Sequence, residues 1–168
     1  RLWMRQTPLK AIDSLRQKPV KMNRRLRAGM QPLAGVGEMG NVYELKIRMA
    51  ADRQDVAGIS LCEGGGRRVT VSYDTESGYL TIDRTNSTPA EIPKFDRVAY
   101  TRIPGKGRDI ELDIFVDKST IEIFVNNGVK VCTLLTYAGD EQTGVSVFSM
   151  YGHTSIELTA WPLKPVWP

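Results

Sequence analysis

Two pairs of acidic residues are spaced closely enough to act together on a substrate. Glu111 and Asp113 are two residues apart in an alternating stretch, and Asp117 and Glu122 flank a polar turn. Hydrolysis of a glycosidic bond uses two carboxyl groups that face one sugar, about 5 to 5.5 Å apart or wider. Residues two apart in a strand share a face at about 6.6 Å, which is compatible. The same alternation is produced by a solvated strand face, and we expect that for Glu111 and Asp113.

For Asp117 and Glu122 we favour structural roles. An Asp beside a turn commonly accepts hydrogen bonds from its own backbone, and a strand acid can pair with an Arg across a sheet. Arg84 is a candidate partner for either one. A hydrolase that uses Asp117 and Glu122 is kept as a third hypothesis, after the two given below.

The other reactive residue types predict no catalytic, cofactor or metal site. A glycine run, 64–66, is followed by strand-like residues and not by a helix, so it indicates a hairpin turn rather than a phosphate loop. His153 is the only histidine and has no nucleophile beside it. Cys62 and Cys132 are far apart in sequence and show no CxxC spacing, which favours two buried free thiols.

These acids must be positioned by strands, because the stretch from 109 to 131 alternates apolar and polar residues over three segments. Asn126, Asn127 and Gly128 tolerate positive φ and predict a tight turn between the second and third. Similar segments recur along the chain at 43–49, 56–63, 69–74, 79–84, 98–103, 145–149 and 154–161. About ten short strands predict an all-β fold, a two-sheet antiparallel β-sandwich of jelly-roll or concanavalin-like type.

The first forty residues are predicted to be a linker segment, and residues 41–168 the sandwich domain. Thr7 is a candidate cap and Pro8 a first helical residue, so a short N-terminal helix is expected up to Arg16. The glycine-rich passage 29–40 is predicted to be a loop. The size of 168 residues fits one such domain with an N-terminal extension.

From the composition we expect neither a nucleic-acid partner nor a membrane partner. The net charge is +4, and a basic cluster in the extension has no interleaved aromatic residues, so we expect no nucleic-acid binding. No stretch approaches the roughly 18 to 20 apolar residues of a membrane helix, so we expect no membrane partner. The basic cluster comprises Lys18, Lys21, Arg24, Arg25 and Arg27.

The segment from Phe115 to Gly128 carries the most specific pattern in the chain, FVDxSxxExFxNxG. It resembles the signature of the C-terminal β-sandwich of glycoside hydrolase family 32, the β-fructofuranosidases that include levanases, inulinases and invertases. A hairpin that ends in Asp-Arg-Thr, and the closing segments 144–149 and 161–163, match in order. The residues of this structural motif are Asp83, Arg84, Asp117, Ser119, Glu122, Phe124 and Gly128.

The resemblance implies that the catalytic carboxylates lie in an N-terminal five-bladed β-propeller of the same parent protein. Two of that propeller's motifs are missing here, and Cys62-Glu63 reverses the order of the third, so no catalytic residue is carried over. The resemblance implies a non-catalytic domain that stabilises the propeller, supports homo-oligomers, and belongs to a secreted or periplasmic protein. The expected contact with the propeller is the apolar stripe Leu2, Trp3, Leu9, Ile12 and Leu15.

The alternative hypothesis is a fructan-binding carbohydrate-binding module, because fructan-binding modules of similar sandwich form exist. Such modules use flat aromatic side chains together with planar polar ones. Aromatic residues at strand positions are more often packing residues than ligand contacts. The candidates are Trp3, Trp161, Trp167, Tyr73, Tyr79, Tyr100, Tyr137 and Tyr151.

Overall fold

A computed structural model describes residues 4–88, 91–105 and 107–166. Within these residues the chain forms two antiparallel sheets of six strands each, which confirms the predicted two-sheet β-sandwich. The first sheet has the strand order β1-β12-β3-β8-β9-β10, and the second has the order β2-β11-β4-β5-β6-β7. No helix among the described residues has the length and apolar character that a membrane crossing requires.

The strands have the following bounds. The first half of the chain contains β1 Val20–Leu26, β2 Gly29–Pro32, β3 Val42–Ala51, β4 Val56–Gly64, β5 Arg67–Asp74 and β6 Tyr79–Asp83. The second half contains β7 Val98–Arg102, β8 Asp109–Asp117, β9 Thr120–Val125, β10 Lys130–Leu135, β11 Gly144–Ser149 and β12 Thr154–Pro162. Two short helices precede β3, a 3-10 helix at Lys10–Leu15 and α1 at Ala34–Gly37.

The core lies between the two sheets and is built by the alternation read from the sequence. Leu45, Ile114 and Ile123 pair across β3, β8 and β9 and are fully buried. Ile59 and Val71 pair across β4 and β5 and are equally buried from the other side. Each such side chain contributes about 1.5–3 kcal/mol by leaving water. The polar residues between them lie on the outer faces of the sheets.

Both predicted tight turns are present. Gly65 and Gly66, with φ of +56° and +75°, join β4 to β5 as a hairpin, so the glycine run is a turn as expected. Asn126, Asn127 and Gly128 have φ of +46°, +56° and +79° and join β9 to β10. Positive φ is costly for most residues, and Gly and Asn tolerate it best.

The N-terminal region differs from the prediction. Strands β1 and β2 lie in the part expected to be linker and loop, and they form an edge of each sheet. Because of Arg24 and Arg25, the sequence of β1 was interpreted as a charged extension. Edge strands commonly carry charged side chains, so these arginines are compatible with a strand. The expected helix is a 3-10 helix that begins at Lys10, and no side chain caps it.

Candidate functional site

The outer face of the first sheet carries the acidic pairs singled out in the sequence, and an N-terminal segment, residues 4–16, lies against it. The backbone N–H of Gln6 donates to the carbonyl of Gly128 at 3.2 Å. A Cβ at Gly128 would overlap the Gln6 carbonyl, so glycine is required there for close approach as well as for φ. A groove of about 630 Å³ lies on this face and is lined by Thr7, Pro8, Lys21, Asn23, Lys46, Arg48, Glu111, Asp113, Phe124, Asn127, Glu157 and Thr159, among others.

The N-terminal segment is fixed to this face by a buried ion pair between Arg16 and Glu44. The Arg16 guanidinium donates through Nε and Nη2 to the two carboxylate oxygens of Glu44, at 2.6 and 2.7 Å. Glu44 has no exposed surface, and Arg16 also stacks over the Trp161 ring at 4.5 Å. A bidentate pair of this kind is strong, and removing either partner leaves a buried charge uncompensated. Arg16 and Glu44 are called the clamp below.

Asp113 lies beside the clamp and is the most perturbed acid of the face. Burial, and then the neighbouring negative charge of Glu44, raise the pKa of Asp113 to about 7. Lys46 opposes this rise, since its Nζ lies 3.6 Å from Asp113 and 3.5 Å from Glu44. A raised pKa beside a second carboxylate is typical of a general acid, but Glu44 is sealed from solvent and held by Arg16, so the two acids cannot both face a sugar.

The other three acids singled out in the sequence are solvent-exposed. Glu111 lies 4.0 Å from the Arg48 guanidinium and lines the groove together with Asp113. Glu122 pairs in register with Phe115, and Asp117 lies at the β8–β9 turn, where its carbonyl accepts from the Thr120 hydroxyl. Asp117 and Glu122 are outside the groove described above. This face therefore resembles a charged, solvated strand surface.

Arg84 does not pair with Asp117 or Glu122 in the described structure. It links the end of β10 to the segment that precedes β7. Its Nη1 donates to the Leu135 carbonyl and its Nε to the Asp96 carbonyl, each at 2.6 Å, and its guanidinium stacks on Phe95 at 4.0 Å. The neighbouring Asp83 carboxylate accepts from the Thr85 N–H and fixes the turn after β6.

The remaining motif residues have packing or turn roles. Phe124 packs edge-on against Phe115, with ring centroids 6.0 Å apart. The Ser119 carbonyl accepts the Thr136 N–H at 2.7 Å, which closes the end of β10. Among the residues expected to contact another domain, Leu9 is exposed while Ile12 and Leu15 are half-buried; Leu2 and Trp3 lie outside the described residues.

The aromatic candidates divide between packing and exposed positions. Tyr73 is buried and donates from its hydroxyl to the Gly107 carbonyl, and Trp161 is half-buried under Arg16. Tyr100 and Tyr79 contact each other on the second sheet and are 72% and 39% exposed. Tyr137 and Tyr151 are exposed on loops; Trp3 and Trp167 lie outside the described residues.

Sequence reasoning missed a buried carboxylate, Asp55, at the end of the sandwich near His153. Its oxygens accept from the hydroxyls of Ser149 and Thr154 and from the N–H groups of Val56 and Tyr151. Burial acts to raise the pKa of Asp55, but these hydrogen bonds outweigh it and hold the pKa below its usual value. Its only sequence signal was an Asp directly before a strand. These donors are all internal, which makes Asp55 a structural residue.

The two cysteines are free: Cys62 is buried and Cys132 is half-buried. Burial raises the pKa of the Cys62 thiol to about 12, so it is a thiol and not a thiolate at neutral pH. Within the described part of the chain, no group of three or more His, Cys, Asp or Glu side chains has a metal-binding arrangement.

Comparison with known proteins identifies the relatives of this sandwich. Residues 11–162 match the family model described as glycosyl hydrolases family 32 C terminal. A sucrose-6-phosphate hydrolase of Streptococcus mutans is 32% identical over 136 residues, which cover 80% of this chain and 28% of that protein. A levanase of Bacillus subtilis is 26% identical over 170 residues, which cover 96% of this chain and 25% of the levanase.

A solved structure agrees with these sequence relatives. The sucrose-6-phosphate hydrolase from Lactobacillus gasseri superposes with a TM-score of 0.74 at 27% identity, over 95% of this chain and 31% of that one. The chain thus spans only about a quarter to a third of the length of these three proteins.

Proposed function

Because this chain belongs to the glycosyl hydrolase family 32 C-terminal domain family, we propose that it is the non-catalytic C-terminal β-sandwich of a longer hydrolase of sucrose or fructans. Its function in that protein is to pack against an N-terminal catalytic β-propeller and stabilise it. The observation that carries the proposal is the match itself, which spans nearly the whole chain but under a third of each hydrolase compared above. Since polymeric fructans occur outside the cytoplasm, secretion or periplasmic export is part of the proposal.

The chemistry of the outer face supports a non-catalytic role. Glu44 is buried under Arg16, Glu111 is near Arg48, and Asp117 and Glu122 lie outside the groove. A glycosidase needs two carboxyl groups that flank the same glycosidic bond. We therefore assign hydrolysis to the preceding region of the parent polypeptide.

The test compares the parent polypeptide with a form that ends before this chain. We expect the melting temperature of the catalytic region to fall in the truncated form, and the 168-residue chain alone to release no fructose from sucrose or levan. An unchanged melting temperature would remove the stabilising role. Fructose release by the chain alone that is lost in Glu122→Gln would instead support the hydrolase hypothesis.

A fructan-binding module is the second candidate, and the groove on the first sheet favours it. The groove combines one aromatic ring, Phe124, with planar polar side chains such as Asn23, Asn127 and Glu111. Sugar sites use such mixtures of apolar and hydrogen-bonding groups. Calorimetric titration of the chain with levan and inulin oligosaccharides tests it. Saturable heat that is lost in Asn23→Ala with Glu111→Gln would establish binding in the groove.

A further inference from the structure

One edge of the sandwich presents apolar side chains that the described chain does not cover. Strands β7 and β10 are the outermost strands of the two sheets on the same side, and together with Tyr137 they are called the open edge below. Val98 and Leu135 are 48% and 45% exposed, Tyr137 is 43% exposed, and Tyr100 is 72% exposed. Val98 and Tyr100 point away from the core on the second sheet, and Leu135 points away from it on the first, so exposed apolar side chains flank this edge on both outer faces.

At the open edge, residues on the core side of both sheets are accessible to solvent. Ala99 pairs in register with the buried Ile82 and therefore lies on the core side of its sheet, yet Ala99 is exposed. On β10, Cys132 and Leu134 pair with the buried Ile123 and Ile121 but are only half-buried. Val20 and Met22 on the core side of β1 are half-buried as well. Ala99 is exposed, which indicates that the cover of this core-side position comes from elsewhere.

The N-terminal end of the described chain lies at this same edge. Met4 and Arg5 line a cavity of about 250 Å³ with Pro104, which follows β7, and Val129, which precedes β10. Gln6 is hydrogen-bonded to Gly128 in the turn beside it. The described N terminus, at Met4, therefore lies at one end of the open edge.

One end of the open edge is held rigid before any partner arrives. Arg84 links the Leu135 carbonyl at the end of β10 to the Asp96 carbonyl ahead of β7. Phe95, stacked under Arg84, contacts Tyr137 with ring centroids 6.1 Å apart. A surface that is already ordered loses little conformational entropy when it docks, which favours binding.

We propose that the open edge is the docking surface for the region that precedes this chain in the parent polypeptide. The inference rests on the proposed function and assigns its contact surface. The occupant follows from two facts: most of each hydrolase relative lies outside the match, and the described N terminus leads to this edge. The contact is centred on β7 and β10 instead of the 3-10 helix stripe expected from the sequence.

Amide hydrogen exchange locates the contact. Exchange is measured on the 168-residue chain alone and on the same residues within the parent polypeptide. We expect segments 95–104 and 129–137 to exchange roughly tenfold more slowly in the parent, with no change in β1 and β2. Hydroxyl-radical footprinting of the parent gives a second readout that does not need the isolated chain to fold: Tyr100 is protected and Met30 is oxidised.

A matched pair of variants controls for nonspecific effects. Val98 and Met30 are each 48% exposed, on opposite edges of the second sheet. In the parent polypeptide, Val98→Lys is expected to abolish the slower exchange at the open edge, whereas Met30→Lys leaves it intact. Loss in both variants, or in neither, would overturn the assignment of the surface.

The outcomes separate this inference from the function it rests on. If removing the chain does not change the melting temperature of the catalytic region, the proposed function fails. If the catalytic region is stabilised but protection maps to β1 and β2 or to the groove, only the docking surface is wrong. Protection of the open edge that rises with the concentration of the parent polypeptide would identify a second copy as the occupant and overturn the inference.

Discussion

The two open sides of this sandwich differ in the charge that their edge strands direct toward the core. On the side of β1 and β2, Val20 and Met22 face the core and are half-buried, but the core-facing position opposite the buried Ile156 is occupied by Arg24. On the side of β7 and β10, the comparable position opposite Ile82 is occupied by Ala99. A charged side chain directed toward the core makes an edge strand a poor partner for further pairing, and alanine has no such effect.

The chain also covers one side with its own termini. Near β12, the Gln17 N–H donates to the Pro162 carbonyl and the Lys164 N–H donates to the Leu15 carbonyl. The clamp forms beside them, where Arg16 covers Glu44. Among the described residues, the open edge is contacted by Met4 to Gln6 at one end and is braced by Arg84 at the other. This difference is consistent with the proposal that a partner region covers the open edge.

The largest expected effect is loss of the clamp on the self-covered side. Arg16→Ala leaves the Glu44 carboxylate buried with only Lys46 nearby, and we expect the free energy of unfolding to fall by about 3 kcal/mol. The N-terminal segment should detach, so its amides should exchange faster. Urea unfolding and amide exchange of the chain measure the two effects.

Two controls separate buried charge from ordinary contact loss. Glu44→Gln in the Arg16→Ala background should recover part of the loss, because it removes the unpaired charge. Arg48→Ala breaks a pair of similar length, 2.8 Å to Asp109, but both side chains are about half exposed. That variant should lower stability much less than Arg16→Ala does, because exposed ion pairs contribute little. Equal losses for Arg16→Ala and Arg48→Ala would contradict the buried clamp.

The Arg84 brace is the next test, and it concerns the open edge. Arg84→Ala removes two hydrogen bonds to carbonyls and the stacking on Phe95, and we expect a loss of about 1–2 kcal/mol. Exchange should accelerate at the ends of β7 and β10 and not at β1. Arg84→Lys is the matched variant: it keeps the charge but lacks the planar fork, so it should restore little of the loss.

Asp113 gives a smaller effect that depends on pH. Its raised pKa, about 7, means that the folded chain keeps a proton that the unfolded chain releases above about pH 4. Stability therefore falls as pH rises from about 4 to 7 and is constant above that. Asp113→Asn resembles the protonated form and should stabilise the chain by on the order of 1 kcal/mol at pH 8, with a clearly smaller gain at pH 5. Urea unfolding at both pH values checks it; an equal change at both would exclude the titration of Asp113.

The fold was readable from the sequence because its strong signals are local. Alternation in β3 and β8 and the positive-φ residues of the β9–β10 turn each depend on neighbours in sequence. Strand β1 was not predicted, because two of its seven residues are consecutive arginines at a sheet edge, where burial imposes almost no apolar pattern. The short N-terminal helix was predicted, but its 3-10 form and its start at Lys10 were not, since its length and hydrogen bonding are set by the face that it lies against.

The long-range contacts of the candidate site were not readable. Arg16 and Glu44 are 28 residues apart, and Arg84 and Leu135 are 51 apart, so nothing local indicates either contact. From the sequence, Arg84 was predicted to pair with a carboxylate. In the structure it donates to two backbone carbonyls instead. The exposure of Ala99 was equally hidden, because an alternating strand reads the same at an edge and at the centre of a sheet.

The variant with the smallest expected effect on stability tests most directly whether the two edges of the isolated chain differ. Val98→Lys with Tyr100→Lys changes exposed side chains, so the free energy of unfolding should shift by no more than about 0.5 kcal/mol. Binding of a hydrophobic dye and self-association should fall, because both depend on the apolar surface of the open edge. Fluorescence titration and analytical ultracentrifugation measure these, with Met30→Lys as the control on the opposite edge. If Met30→Lys reduces dye binding as much as the double variant does, the exposed apolar surface is not concentrated at β7 and β10, and the contrast between the edges disappears.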